Sequence, residues 1–286
     1  MESRCCIVGG GPAGIMLGFL LARMGIKTVV LERHGDFLRD FCGDTSHPST
    51  LQIMYELGLL ETFLALPHSE ASRVDIEMGV ETITIADLTR LPTRCPFVAF
   101  MPQWKFLNFL AEHGKRFPTF HVRMQAKGIE VLKDDGRVVG VRTKTPCGTE
   151  EIHAPLVIGA DGRHSTIRAQ AGLKVRDLGA PIDVFWLRLS RRTDEPHALL
   201  GHFAPRHILV MLGRDDHWQC AYVIEKGKSD QIRKRGLPAF RQDLVEIVPS
   251  LADRVHELKR LGQDQAVDRC RRPAREMVPK WSALHR

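Results

Sequence analysis

The stretch CIVGGGPAGIMLGFLLARMGIKTVVLER carries glycines at 9, 10, 11 and 14 and ends in a carboxylate, Glu32, with Arg33 beside it. Gly9, Gly11 and Gly14 fit the spacing G-x-G-x-x-G. That spacing suits the grip of a dinucleotide. Gly9 permits a tight turn, Gly11 lets the backbone approach a pyrophosphate, and Gly14 lets a helix pack close to a strand. Pro12 and Ala13 open that helix, whose first amides and dipole point at the phosphates. Glu32 falls where a ribose hydroxyl is held. A carboxylate there selects a free 2′-hydroxyl, which suits NAD and the AMP half of FAD alike.

The elements that must position these residues are legible around them. Residues 4–8 read as a short buried strand. Ala13, Met16, Leu17, Leu20, Leu21 and Met24 recur at helical spacing, and Gly25 is placed to cap that helix. Residues 26–31 form a second strand ending at Glu32. A glycine motif that follows a strand, opens a helix and leads to a second strand is the context dinucleotide binding requires.

A second stretch, VIGADGRHSTIR, lies more than a hundred residues downstream, at 157–168. A buried strand runs into Gly159-Ala160-Asp161-Gly162, and Ser165 is placed to cap a helix over 165–171. A glycine-flanked aspartate at a strand end can approach a polar ligand edge while the backbone turns sharply.

Between and beyond these stretches the pattern predicts helices over 50–63 and 101–117. Strands are expected over 73–91 and 121–161, with a hairpin turn at Asp135-Gly136. A second β region covers 183–225, in the pieces DVFWLRLS, RHILVML and WQCAYVIE, with GRDD as a turn. Helices over 237–248 and 251–258 follow. The fold class is α/β, a Rossmann-like domain with an inserted β-sheet domain. Residues 1–72 and 98–176 form the nucleotide domain, 73–97 and 177–262 a β-rich substrate domain, and 263–286 an atypical tail.

Composition bounds the function. The chain has 286 residues, 43% hydrophobic and 26% charged, with a net charge of +7. That balance is globular. The basic excess is spread out, no reader motif or basic-aromatic interleaving is present, and nucleic acid is not expected as a partner. Seven cysteines without a C-x-x-C pair read as reduced cytosolic thiols. The apolar run 13–22 is too short to span a bilayer. A cytoplasmic protein without a membrane anchor is expected, its oligomeric state open. The motifs G-x-S-x-G, H-E-x-x-H and the Walker loop are absent, and the thirteen histidines form no tight cluster. No catalytic residue and no metal ligand is assigned.

Taken together the two glycine stretches resemble those of the flavoprotein aromatic hydroxylases, the p-hydroxybenzoate-hydroxylase-like FAD monooxygenases. DFCGDTSHPSTLQIMYELGLLETF, MPQWKFLNFLAEHGKRFP and the strands DVFWLRLS and WQCAYVI are similar to further parts of that family. The resemblance implies FAD as cofactor and NADH or NADPH as electron donor. The reaction implied is transfer of one oxygen atom from O2 to an aromatic or polyketide-like small molecule. Related flavoproteins halogenate, epoxidise or reduce, and those reactions stay open. By resemblance, Gly9, Gly11, Pro12, Ala13 and Gly14 receive the pyrophosphate, Glu32 holds the AMP ribose and Arg33 lies beside the adenine. Gln103 bonds FAD, and Asp161 and Gly162 lie near the ribityl and pyrophosphate. Two departures are visible. Cys42 stands where the family usually has Arg, and the family's G-D-A-A-H fingerprint does not follow the β region. A truncated, non-catalytic remnant whose tail packs poorly from Pro273 is the alternative reading. A simple NAD-linked dehydrogenase is disfavoured by the D-G stretch and the β insertion.

Overall fold

The computed structural model describes residues 1–38, 44–78, 81–177, 179–195, 199–204, 207–214, 216–261, 263–265 and 271–273. The chain divides into two compact units. Met1–Asp40, Gln103–Asp177 and Arg271–Arg286 make the first; Phe41–Pro102 and Leu178–Cys270 make the second.

In the first unit, strand β1 (Cys5–Val8) is an unbroken apolar run, buried throughout, followed by helix α1 (Pro12–Arg23) and strand β2 (Thr28–Leu31). The sheet is wholly parallel, in the order Leu156–Gly159, β1, β2, Phe120–Arg123. An all-parallel sheet needs cover on both faces. On one face α1 packs so closely that a Cβ at Gly18 would lie 2.5 Å from Val30. On the other, Cys6, Val8, Val29 and Leu31 pack with Val141, Ile152 and Ile167. Val141 and Ile152 come from an antiparallel sheet of Lys127–Asp134, Arg137–Thr145 and Gly148–His153. Its first hairpin turns at Asp135-Gly136, as expected. Burial in this stack pushes the Cys6 thiol up to about 12 and makes it inert.

The second unit is built on a seven-stranded sheet in which Arg73–Met78 lies parallel to Leu199–Ala204 and antiparallel to Glu81–Asp87. The two distant β regions of the sequence thus join in one sheet. Alternation gives its strands two faces. Phe185, Leu187, Leu209 and Tyr222 pack with Phe240 and Leu244 of the helix Ser229–Ile247. Val184, Trp186, Val210, Ala221 and Val223 cluster on the other side.

Several elements differ from expectation. Residues 41–72 and 98–102 group with the second unit, because Thr45–Ser46, Val98–Phe100 and Ser69–Ala71 form one small sheet there. The helix expected over 50–63 is two, Pro48–Glu56 and Leu60–Leu64, parted by a turn at Gly58. Strand Leu199–Ala204 was not anticipated, since Gly201 and His202 interrupt its apolar pattern. The helix expected from 237 begins at Ser229 and bends at Gly236. Residues 251–258 form short 3₁₀ turns, Pro249–Leu251 and Val255–Glu257, instead of a helix. Tertiary bonds override helical periodicity there. Glu257 accepts from the Ser190 amide (2.8 Å) and hydroxyl (2.6 Å), and Arg254 donates to the Ser190 carbonyl (3.0 Å). Cys42 and the tail beyond Pro273 lie outside the described residues.

Candidate functional site

The two glycine corners meet. Register pairs Val8 of β1 with Gly159 of the strand Leu156–Gly159, so both parallel strands end side by side. The Ala160 amide donates to the Val8 carbonyl at 2.7 Å. Gly9 adopts φ +112°, and a Cβ there would lie 2.2 Å from the Ala160 carbonyl oxygen. After β1 the chain adds β2 and Phe120–Arg123 on one flank and Leu156–Gly159 on the other. The corners therefore stand at the carboxyl ends of the strands where the winding order reverses, the place where open α/β sheets bind ligands.

What the first corner offers is backbone. No side chain caps the N-terminus of α1 at Gly11, and Pro12 occupies its first turn. A Cβ on Gly11 would meet nothing within 4 Å, and the same is true of Gly162. An open cradle under an uncapped helix N-terminus fits a phosphate group. Gly14 is crowded: a Cβ there would lie 1.9 Å from the Gly9 carbonyl oxygen. Ala13 and Gly162 line one recess together with Ser165 and Arg168.

Glu32 is buried at 8% exposure, and its carboxylate accepts from the Gly10 amide (3.1 Å) and the His34 amide (2.9 Å). Glu32 is thus fixed against the glycine turn. Gly10 had no assigned part in the sequence reading. Its hydrogen makes room for Glu32, whose Cβ would lie 2.7 Å from any Cβ on Gly10. The middle position of three consecutive glycines was the available signal. Arg33 is exposed, and its Nε donates to the His34 ring (2.8 Å).

The second corner is braced from within. The Asp161 carboxylate accepts from the Ser165 hydroxyl and from the amides of Thr166 (2.7 Å) and Ile167 (3.3 Å). Ser165 in turn accepts from the Arg168 amide at 2.9 Å, which is the cap expected of it, and Arg168 donates to the Arg163 carbonyl at 2.6 Å. Asp161 therefore anchors the turn to the helix Thr166–Gln170, while Gly162 forms its open face. Gln103 is the first residue of the helix Gln103–Gly114, half-buried, and that helix packs on α1.

The second unit holds polar groups that the sequence did not mark. Arg214, 8% exposed, donates to the Gln219 side chain (3.0 Å) and the Asp44 carbonyl (3.3 Å), pairs with the Asp44 carboxylate (3.3 Å) and lies over the Phe100 ring. His202 is buried beside Glu77 at 3.0 Å. Asp44 and Glu77 are distant in sequence from Arg214 and His202, so no local spacing announced these pairs. Among the described residues no cluster of three or more His, Cys, Asp or Glu could hold a metal ion, and no helix is long and apolar enough to cross a membrane.

Comparison with known proteins agrees with this geometry. A family model described as FAD binding domain matches residues 2–278, and the chain belongs to that family. The chain is 26% identical over 253 residues to 6-methylpretetramide 4-monooxygenase of Streptomyces rimosus, covering 88% of this chain and 60% of that protein. It is 28% identical over 254 residues to para-nitrophenol 4-monooxygenase of Pseudomonas sp. strain WBC-3, covering 85% and 62%. The chain thus spans about three fifths of the length of these relatives. In fold it is similar to a myxobacterial chondrochloren halogenase, with a TM-score of 0.75 at 22% identity, covering 88% of this chain and 60% of that one. FAD is accordingly the cofactor of this fold, and its sheets follow the expected Rossmann-like unit with a β-sheet insertion.

Proposed function

We propose that this chain is the flavin-binding part of a cytoplasmic FAD-dependent monooxygenase. It takes electrons from NADH or NADPH and hydroxylates an aromatic or polyketide-like small molecule, with no nucleic-acid partner. The observation that carries the reading is the meeting of Gly9 with Ala160, which makes one binding corner from two distant motifs. Gly11, Pro12, Ala13 and Gly14 hold the pyrophosphate on the first turn of α1. Glu32, already fixed by two amides, accepts from the ribose hydroxyls, and Arg33 flanks the adenine. Gln103 and the Gly162 face bond the remainder, and Asp161 keeps that face in place through its cap. Bound flavin supplies the chemistry of reducing O2 and passing one oxygen atom to the substrate. The protein positions the substrate and excludes water. The sheet face bearing Val184, Trp186, Val210, Ala221 and Val223 is the proposed substrate wall, since Phe185 and Leu187 are consumed by packing under the helix.

The test is direct. The purified chain, supplied with FAD, should retain a yellow chromophore through gel filtration, and NADH or NADPH should bleach it under anaerobic conditions. A chain that stays colourless at saturating FAD refutes the reading.

A further inference from the structure

The end of the parallel sheet away from the glycine corners holds a second recess. It lies within the first unit, has a volume of about 1090 Å³, and is lined by Arg4, Lys27, Arg137 and His153 beside Val139 and Pro155. Register explains its position. Arg4, Lys27 and Pro155 each stand one residue ahead of Cys5, Thr28 and Leu156, which are paired across the sheet. The Arg4 amide donates to the Lys27 carbonyl at 2.9 Å. Two cations therefore occupy neighbouring strands at matched height, a placement that costs stability when no counter-charge lies between them. Two strand-borne arginines of this unit are matched with acids, Arg123 with Glu150 and Arg142 with Glu130 and Glu151. Among the described residues no carboxylate pairs with Arg4, Lys27 or Arg137, and Glu2 is the one acid on the rim.

We infer that this recess binds a soluble phosphate-bearing ligand about the size of a nucleoside diphosphate. Guanidinium groups match phosphate oxygens in pairs, and the lysine adds a compact charge. Val139 and Pro155 give the organic body of the ligand an apolar wall. The site is separate from the flavin corner, because Arg4 precedes β1 and Gly9 follows it. It gives part of the net charge of +7 a purpose that the flavin site does not need.

Calorimetric titration of the FAD-saturated chain with ADP, and separately with inorganic pyrophosphate, tests the inference. Saturable binding is expected, weakened by added salt and reduced about tenfold or more by Lys27→Glu or Arg137→Glu. Both residues are exposed, so the substituted chains should melt as the parent does. Gly11→Val separates the two sites: it should remove flavin and leave ADP binding intact. Absence of saturable binding at millimolar ADP overturns the inference. So does binding that survives both charge reversals, or binding that disappears with Gly11→Val alone.

Discussion

At the scale of the residue, the glycines of one turn do different work. Gly9 admits Ala160, Gly10 admits Glu32, Gly14 admits the Gly9 carbonyl, and Gly11 faces open space. Two substitutions should therefore diverge. Gly14→Val forces a side chain into backbone and should cost about 3 kcal/mol or more, read as a lowered denaturant midpoint. Gly11→Val should leave that midpoint near the parent value and abolish FAD retention. Equal stability loss in both would sink the distinction. Asp161→Ala removes the brace on the helix Thr166–Gln170 and should cost about 1–2 kcal/mol, with flavin binding weakened as a consequence. The motif glycines were legible because their demand is local: a missing side chain is visible in the letters. Asp161 was legible as a turn residue, but its carboxylate turns inward onto Thr166 and Ile167, which D-G alone does not specify. Arg214 was illegible, since its partner Asp44 lies 170 residues away.

At the scale of the element, the helix Ser229–Ile247 is two pieces joined at Gly236, where φ is +82°. Arg235 and Asp243 span the joint with bonds of 2.7 and 3.0 Å. Gly236→Ala forces a β-carbon into left-handed backbone and should destabilise by about 1 kcal/mol in urea unfolding. An unchanged midpoint would mean that the bend relaxes to regular helix. Periodicity found the second piece because Phe240 and Leu244 face the sheet. It missed the first, SDQIRKR at 229–235, which is polar and exposed on most sides. Short parallel strands were readable as apolar runs, whereas the 3₁₀ turns near Arg254 depend on Glu195, Ser190 and Glu257, which no window of neighbours reveals.

At the scale of the whole molecule, stability should depend on pH through two histidines. Burial pushes His202 and His217 below their ordinary values, opposed by Glu77 and Asp216 respectively. The folded state thus favours the neutral rings. Their contribution is complete above the unfolded value of about 6.5 and is lost as pH falls through it toward the lower folded values. The melting temperature should fall between about pH 7 and pH 5, less steeply in His202→Gln. Identical slopes for parent and variant would exclude His202 as a source. The α/β class and the single β insertion were legible from the order of elements. The borders at 40 and 102 were not, because the small sheet containing Val98–Phe100 is assembled only from strands far apart in the chain.

The polypeptide passes between its two units at four places, after Asp40, Pro102, Asp177 and Cys270. A growing chain therefore exposes β1 long before Leu156–Gly159 leaves the ribosome to flank it. At ordinary elongation rates that delay is roughly eight to thirty seconds. A ribosome-associated chaperone should hold the nascent amino-terminal strand through that interval, and crosslinking of stalled chains would capture it there.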